Sequence, residues 1–340
     1  MRQTHCGPPG AASPAGVEAT RRSLRRRFVV AAALGLGVYV AFAAYADWAT
    51  LRATVLGFPW RTVPAIVALV SCNYLGRLLK WLWYLRLIGS PIGWADGARV
   101  FGIGMTMVLT PGKAGELLKS YMVKNAAGTP MRITAPIVLA ERLTDGLAMI
   151  VLAAAGLYAV DDPALRRAAV AMLLALLAVV LAVQVRPLAL AALRLGERLP
   201  AVGRAAGQAR DFYESSYLLL RPRNLLLAVA VGLVSWTCEG LAYYLVLLGV
   251  DPSLAPGWHT AFVAVFIFSS STVLGAMVAT PGGLGATEAG LVALCQRLLL
   301  MGAAAATAAA LLVRLLTLWF GVALGLVCML LWPRLLEGRS

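Results

Sequence analysis

Nine ionisable side chains stand inside runs that are otherwise apolar enough for a bilayer: Arg77, Lys80, Glu116, Glu141, Arg142, Asp145, Glu239, Glu288 and Arg314. A charge near the bilayer centre costs on the order of 2.5–3.5 kcal/mol on insertion scales, so each must pair or line an aqueous cavity. Glu141 and Asp145 are four residues apart and share a helix face. Arg142 is turned about 100° from Glu141 and can meet a different partner. Such a set can do one of two things. It can form buried ion pairs that hold helices in register, or it can make a polar path for a charged group that must cross the membrane. For the set as a whole the path is the better reading.

Two of the carboxylates follow a phrase that occurs twice. The first copy is Thr110-Pro111-Gly112-Lys113-Ala114-Gly115-Glu116, and the second is Thr280-Pro281-Gly282-Gly283-Leu284-Gly285-Ala286-Thr287-Glu288. Thr110 maps to Thr280 at an offset of 170, and two extra residues in the second copy raise the offset to 172. That offset pairs Glu116 with Glu288 and Arg142 with Arg314. Upstream, Leu87-Ile88-Gly89 echoes Leu247-Leu248-Gly249. A Pro-Gly pair cannot continue a helix without losing a backbone bond, and at membrane depth that is tolerated only against protein or a water-filled cavity. Each phrase therefore marks a broken helix, followed by a new helix N-terminus. Paired broken helices in an internal repeat point to a transporter binding site.

The glycines have their own chemistry. Gly112, Gly115, Gly282, Gly283 and Gly285 are expected to bring backbone N–H groups close to an anion at a helix start, with Lys113 adding a full charge in the first copy only. A turn that simply needs glycine explains them equally well. Neither phrase is a P-loop, which needs a different spacing and a downstream Ser or Thr.

These residues need elements to position them, and composition says what kind. The 340 residues are 61% hydrophobic and 13% charged, against roughly 45–50% and about 25% in soluble domains. The chain is an all-α polytopic membrane protein. Its net charge of +15 reads as topology and contact with anionic lipid. The basic residues are scattered between apolar spans, which argues against nucleic acid. Cys6, Cys72, Cys238, Cys295 and Cys328 have no metal or disulfide spacing, and the two histidines sit in a polar tail and a loop. No cofactor and no metal is expected, and the sequence sets no oligomeric state.

In chain order, residues 1–27 read as a disordered basic cytoplasmic tail and 28–335 as the transmembrane domain. A first span covers about 28–46. Repeat one covers about 62–160, with spans 62–85 and 132–160 flanking a broken helix over 94–125. Trp81, Trp83 and Tyr84 read as an interfacial aromatic belt. A span over 164–185 leads to a basic amphipathic linker, 186–223, on the cytoplasmic surface. Repeat two covers about 224–332, with Glu239 in its first span, a broken helix over 257–299, and Arg314 in its last span. The expected architecture is roughly six full spans plus two re-entrant hairpins.

With both termini in the cytoplasm, Arg52, Arg61, Arg166, Arg167 and Arg297 fall outside, and Arg77, Lys80, Arg142 and Arg314 fall in the membrane. The other 21 basic residues, Lys119 among them, fall inside, which is the bias expected of a correct threading. One hairpin then enters from the cytoplasm and the other from outside, so the repeats are inverted.

Pro111-Gly112-Lys113-Ala114-Gly115-Glu116, Glu141-Arg142-Leu143 with Asp145, and Pro281-Gly282-Gly283-Leu284-Gly285 with Glu288 resemble the membrane domain of lysylphosphatidylglycerol synthases. The resemblance spans about 28–335 and implies a flippase-like domain of the bacterial inner membrane. In full-length synthases a separate soluble domain performs aminoacyl transfer. This chain runs to Ser340 directly after its last span, so the transferase activity is not expected here. The reading is a non-enzymatic translocase for a phospholipid or polyprenyl-linked headgroup, and the inverted repeat implies that Glu116 and Glu288 act alike from opposite faces. Two alternatives stay open: an integral-membrane lipid-phosphate transferase, and a non-transporting subunit of a cell-envelope synthesis complex.

Overall fold

The computed structural model describes residues 37–38, 40–42, 44–110, 115–157, 163–184, 206–278 and 280–337. These fold into helices without strands. After α1 (Trp48–Leu56), a short turn leads into α2 (Val63–Leu87). The first broken unit is α3 (Trp94–Gly104), a tighter turn over Met105–Leu109, and α4 (Leu117–Ala127). Then come α5 (Met131–Gly156), α6 (Pro163–Gln184), α7 (Ala206–Leu219) and α8 (Pro222–Val250). The second broken unit is α9 (Trp258–Val278), a turn over Pro281–Gly283, and α10 (Ala286–Leu298). The last long helix is α11 (Ala303–Arg314) and α12 (Phe320–Leu331), joined by a π-helical turn over Leu315–Trp319, and α13 (Arg334–Glu337) follows.

Four segments among the described residues are long and apolar enough to cross a bilayer: Trp60–Leu87, Pro222–Val250, Trp258–Val278 and Ala303–Leu331. Three coincide with the expected spans 62–85, 224–249 and 303–332, and the fourth is the first limb of the second broken unit. α5 has 26 residues, enough for about 39 Å at 1.5 Å per residue. It carries Glu141, Arg142 and Asp145, so it stands inside the bundle, against α7, α8 and α9. Most of the first expected span, the basic tail and residues 186–205 of the linker lie outside the described residues.

α2 and α8 pack along one another. They come close because side chains are small where they meet. A Cβ on Gly76 would stand 2.1 Å from Ser235 Oγ, and Asn73 Nδ2 donates to the Ser235 carbonyl at 3.0 Å. Small residues and interhelical hydrogen bonds do the work that hydrophobic burial does in water. In each broken unit the second limb packs back on the first, α4 on α3 and α10 on α9. The limbs also reach across the molecule: α9 lies on α5, and α12 lies on α3 and its following turn. The two breaks meet each other, with Leu109, Leu284, Leu318 and Val322 packed between them.

Two local readings need correction. Trp81 and Tyr84 are fully buried core residues, not an interfacial belt. Trp81 Nε1 donates to the Gly97 carbonyl at 3.0 Å, because its side of α2 faces α3 rather than lipid. The echo between Gly89 and Gly249 is not structural. Gly89 has φ +73° and closes α2, with its N–H on the Arg86 carbonyl and that of Ser90 on the Leu85 carbonyl. Gly249 lies within α8, where a Cβ would meet Phe58 at 2.5 Å.

Candidate functional site: a charged cavity between the two breaks

The second break shows how its sequence folds. Pro281 starts a single tight turn, and Gly282, Gly283 and Gly285 all take positive φ, at 63°, 69° and 85°. Side chains are strained there and glycine is not. The chain re-enters a helix at Ala286, and Glu288 folds back so that its Oε2 accepts from the Gly285 N–H at 2.8 Å. Its other oxygen accepts from Arg314 Nε at 2.7 Å, and Arg314 Nη2 donates to the Gly282 carbonyl. Arg314 is the last residue of α11. The π-helical turn that follows releases the Thr317 carbonyl, which accepts from Tyr74 OH at 2.6 Å.

The first break has its own pair. Arg142 Nη2 lies 3.0 Å from Glu116 Oε2. Each of the two arginines that the repeat makes equivalent thus meets the glutamate of its own half. The remaining charges of α5 go elsewhere, as their helical positions require. Asp145 holds Lys80 in a short contact and lies 4.0 Å from Arg77 Nε. Glu141 accepts from Lys119 Nζ at 2.6 Å. Glu141 and Asp145 share a helix face yet serve different cations, one on α4 and one on α2.

These groups surround a cavity of about 420 Å³. Its wall includes Arg77, Glu116, Lys119, Arg142, Asp145, Glu239 and Arg314, with Tyr74, Trp236, Gly282 and Gly283. Both halves of the chain contribute. Of the remaining expected site residues, Lys80, Glu141 and Glu288 stand behind the wall, each as the buried partner of a charge that lines it. Gly112 and Lys113 lie outside the described residues.

The anion role expected of the glycine N–H groups is corrected at three positions. The N–H of Gly115 donates to Thr110 Oγ1 at 2.9 Å, that of Gly283 to the Thr280 carbonyl at 3.0 Å, and that of Gly285 to Glu288. The protein's own acceptors already hold these donors.

Sequence reasoning placed Lys119 among the cytoplasmic charges. It is 4% exposed, ion-paired to Glu141, and sits over the Trp81 ring at 4.4 Å. Three residues past Glu116, it reads as a flanking charge until α4 is seen to turn it inward. Tyr74 and Trp236 were missed altogether. Each is one aromatic in an apolar run, with no spacing signal to mark it.

The chain belongs to the family described as the lysylphosphatidylglycerol synthase TM region, whose sequence pattern matches residues 28–325. It is an integral membrane protein of that family. Comparison with curated proteins gave no match.

Proposed function

We propose that this protein moves the polar headgroup of a phospholipid or polyprenyl-linked lipid across the bacterial inner membrane, with the lipid chains remaining in the bilayer. The observation that carries the reading is the cavity itself: cations and carboxylates from both halves line one space between two broken helices, with ion-pair partners in its wall or directly behind it. Broken helices at membrane depth are tolerated where they line such a space. The family takes its name from proteins that make an aminoacylated phospholipid, which points the reading at lipids of that class.

The two halves are read as inverted repeats. Each broken unit folds back on itself, and each leans on the last long helix of the opposite half, the exchange expected of a two-fold relation in the membrane plane. The basic side is read as cytoplasmic, with both termini there. Arg132 Nε, at the start of α5, pairs with Asp211 of α7 at 2.5 Å, so the described part of the linker helix sits at the level assigned to Arg132. The chain acts as a carrier and not as an enzyme.

The test is reconstitution of the purified protein in liposomes holding headgroup-labelled phospholipids and a polyprenyl phosphate lipid, with and without a proton gradient. Protein-dependent loss of label from one leaflet, with no new lipid species by mass spectrometry, is the expected outcome. A new lipid species without transfer between leaflets would favour the transferase.

A further inference from the structure

The repeat makes Arg142 and Arg314 equivalent in sequence, but their surroundings differ. Arg314 is held on two sides by the second break: Nε on Glu288, and Nη2 on the Gly282 carbonyl. Its side chain is 10% exposed and that of Glu288 is 0%. Among the described residues Arg142 makes one ion pair, through Nη2, and its side chain is 26% exposed. Its Nε is buried and has no hydrogen-bond partner among the described residues.

A second group in the same wall is in the same condition. Trp236 is 7% exposed, and its Nε1 is buried with no hydrogen-bond partner among the described residues. The guanidinium of Arg77 lies 5.7 Å from its ring centroid. Guanidinium and indole nitrogens can only donate. Both residues line the cavity, and donor-only groups that the described residues leave unmet call for a ligand rich in acceptor oxygens, because a buried donor left unmet is costly.

Resting on the lipid-carrier reading, we infer that the two arginines do different jobs. Arg142 and Trp236 receive the phosphate oxygens of the lipid headgroup, with Arg77 supplying a further positive charge. Arg314 and Glu288 are a fixed clamp that holds the second break in shape. A phosphodiester offers non-bridging oxygens to a guanidinium and an indole together, and the planar guanidinium suits it better than an ammonium does. Because Arg142 is bound through one nitrogen among the described residues, a phosphate can engage it without dismantling a backbone cap. Arg314 has no such freedom.

The test measures binding apart from transport. The full chain is placed in nanodiscs, and native mass spectrometry compares retention of phosphatidylglycerol with that of diacylglycerol, which has the same chains and no phosphate. Glycerol 1-phosphate in the aqueous phase is added as a competitor. The parent should retain phosphatidylglycerol over diacylglycerol. Trp236→Phe keeps a ring and removes the donor, and should weaken that preference about tenfold, the loss of one hydrogen bond to a charged group. Arg142→Lys should weaken it by a similar factor. The double variant Glu116→Gln with Arg142→Gln, which removes both charges of that pair, should abolish it. Arg314→Lys should keep the preference while lowering the melting temperature.

Displacement by glycerol 1-phosphate that depends on Arg142 would support the same phosphate site, reached from water. No preference for phosphatidylglycerol in the parent, or an equal loss in Arg314→Lys at an unchanged melting temperature, would overturn the assignment. If the binding pattern holds and no lipid crosses the liposome bilayer, the assignment stands and the transport reading falls.

Discussion

Arg314 donates to Glu288 at 2.7 Å across 26 residues of chain, and Glu288 in turn caps the N–H of Gly285. One arginine therefore fixes both a carboxylate and the helix start that the carboxylate closes. Removing the cation leaves a fully buried Glu288 uncompensated, which in general costs about 3–5 kcal/mol. Arg314→Met should lower the yield of folded protein after detergent extraction and shift the melting temperature down. Adding Glu288→Gln should recover most of the loss, because the amide oxygen still accepts from Gly285 and no charge remains. Equal instability of the single and double variants would refute the clamp.

The turn beside that clamp separates crowding from backbone strain. A Cβ on Gly275 would stand 1.9 Å from Thr287 Oγ1, and one on Gly283 would stand 2.7 Å from the same atom. Gly275 lies in α9 with ordinary dihedrals, whereas Gly283 has φ +69°. Gly275→Ala should cost about 1–3 kcal/mol by overpacking, and Thr287→Ala in the same chain should restore it. Gly283→Ala should stay destabilised beside Thr287→Ala by about 1–2 kcal/mol, the cost of a left-handed residue with a side chain. Thermal melts of the four variants check this. Full rescue of Gly283→Ala would remove the strain argument.

How far the chain could be read in advance depended on the kind of signal. A Pro-Gly break in an apolar run is visible because lipid allows few reasons for it. The two breaks therefore gave an offset, and the offset matched Glu116 with Glu288 and Arg142 with Arg314; which charge meets which came from the packing. Lys119 was not legible, since a lysine just past a break looks the same whether it faces water or a carboxylate on α5. Trp81 and Tyr84 failed for a related reason. Aromatics at the end of a span resemble an interfacial belt until packing reveals α3 against them. Trp236 carries no sequence mark at all, because its significance lies in what its indole nitrogen does not meet. Packing geometry decided each of these cases, and periodicity carries none of it.

Lys119 and Lys124 lie on one helix and make a direct comparison. Lys119 Nζ is ion-paired to Glu141 with both side chains at most 5% exposed, while Lys124 is exposed. Lys119→Met should cost about 3–5 kcal/mol, because Glu141 is left buried and charged. Lys124→Met should stay within about 0.5 kcal/mol, as surface substitutions generally do. Melting temperatures and extraction yields measure both. A neutral Lys119→Met would mean that Glu141 has another partner when the lysine is gone.

The orientation rests on charge, and it can be tested without any transport assay. Burial of Lys119 removes one residue from the 21 cytoplasmic charges and leaves 20 against 5 outside. The positive-inside bias survives the correction. The Arg132 to Asp211 pair joins the start of α5 to α7, so the linker and that helix end must share a face. Ser253 is exposed in the loop after α8, and α8 is long enough to place that loop on the other face. In a background lacking the five native cysteines, single cysteines at Gly7 and Arg204 should resist an impermeant thiol reagent in intact cells, and one at Ser253 should react. After the membrane is opened, all three should label, which controls for burial. If the cysteine at Arg204 labels from outside, the linker is not cytoplasmic. The two broken units then cannot enter from opposite faces, and the inverted arrangement is lost with them.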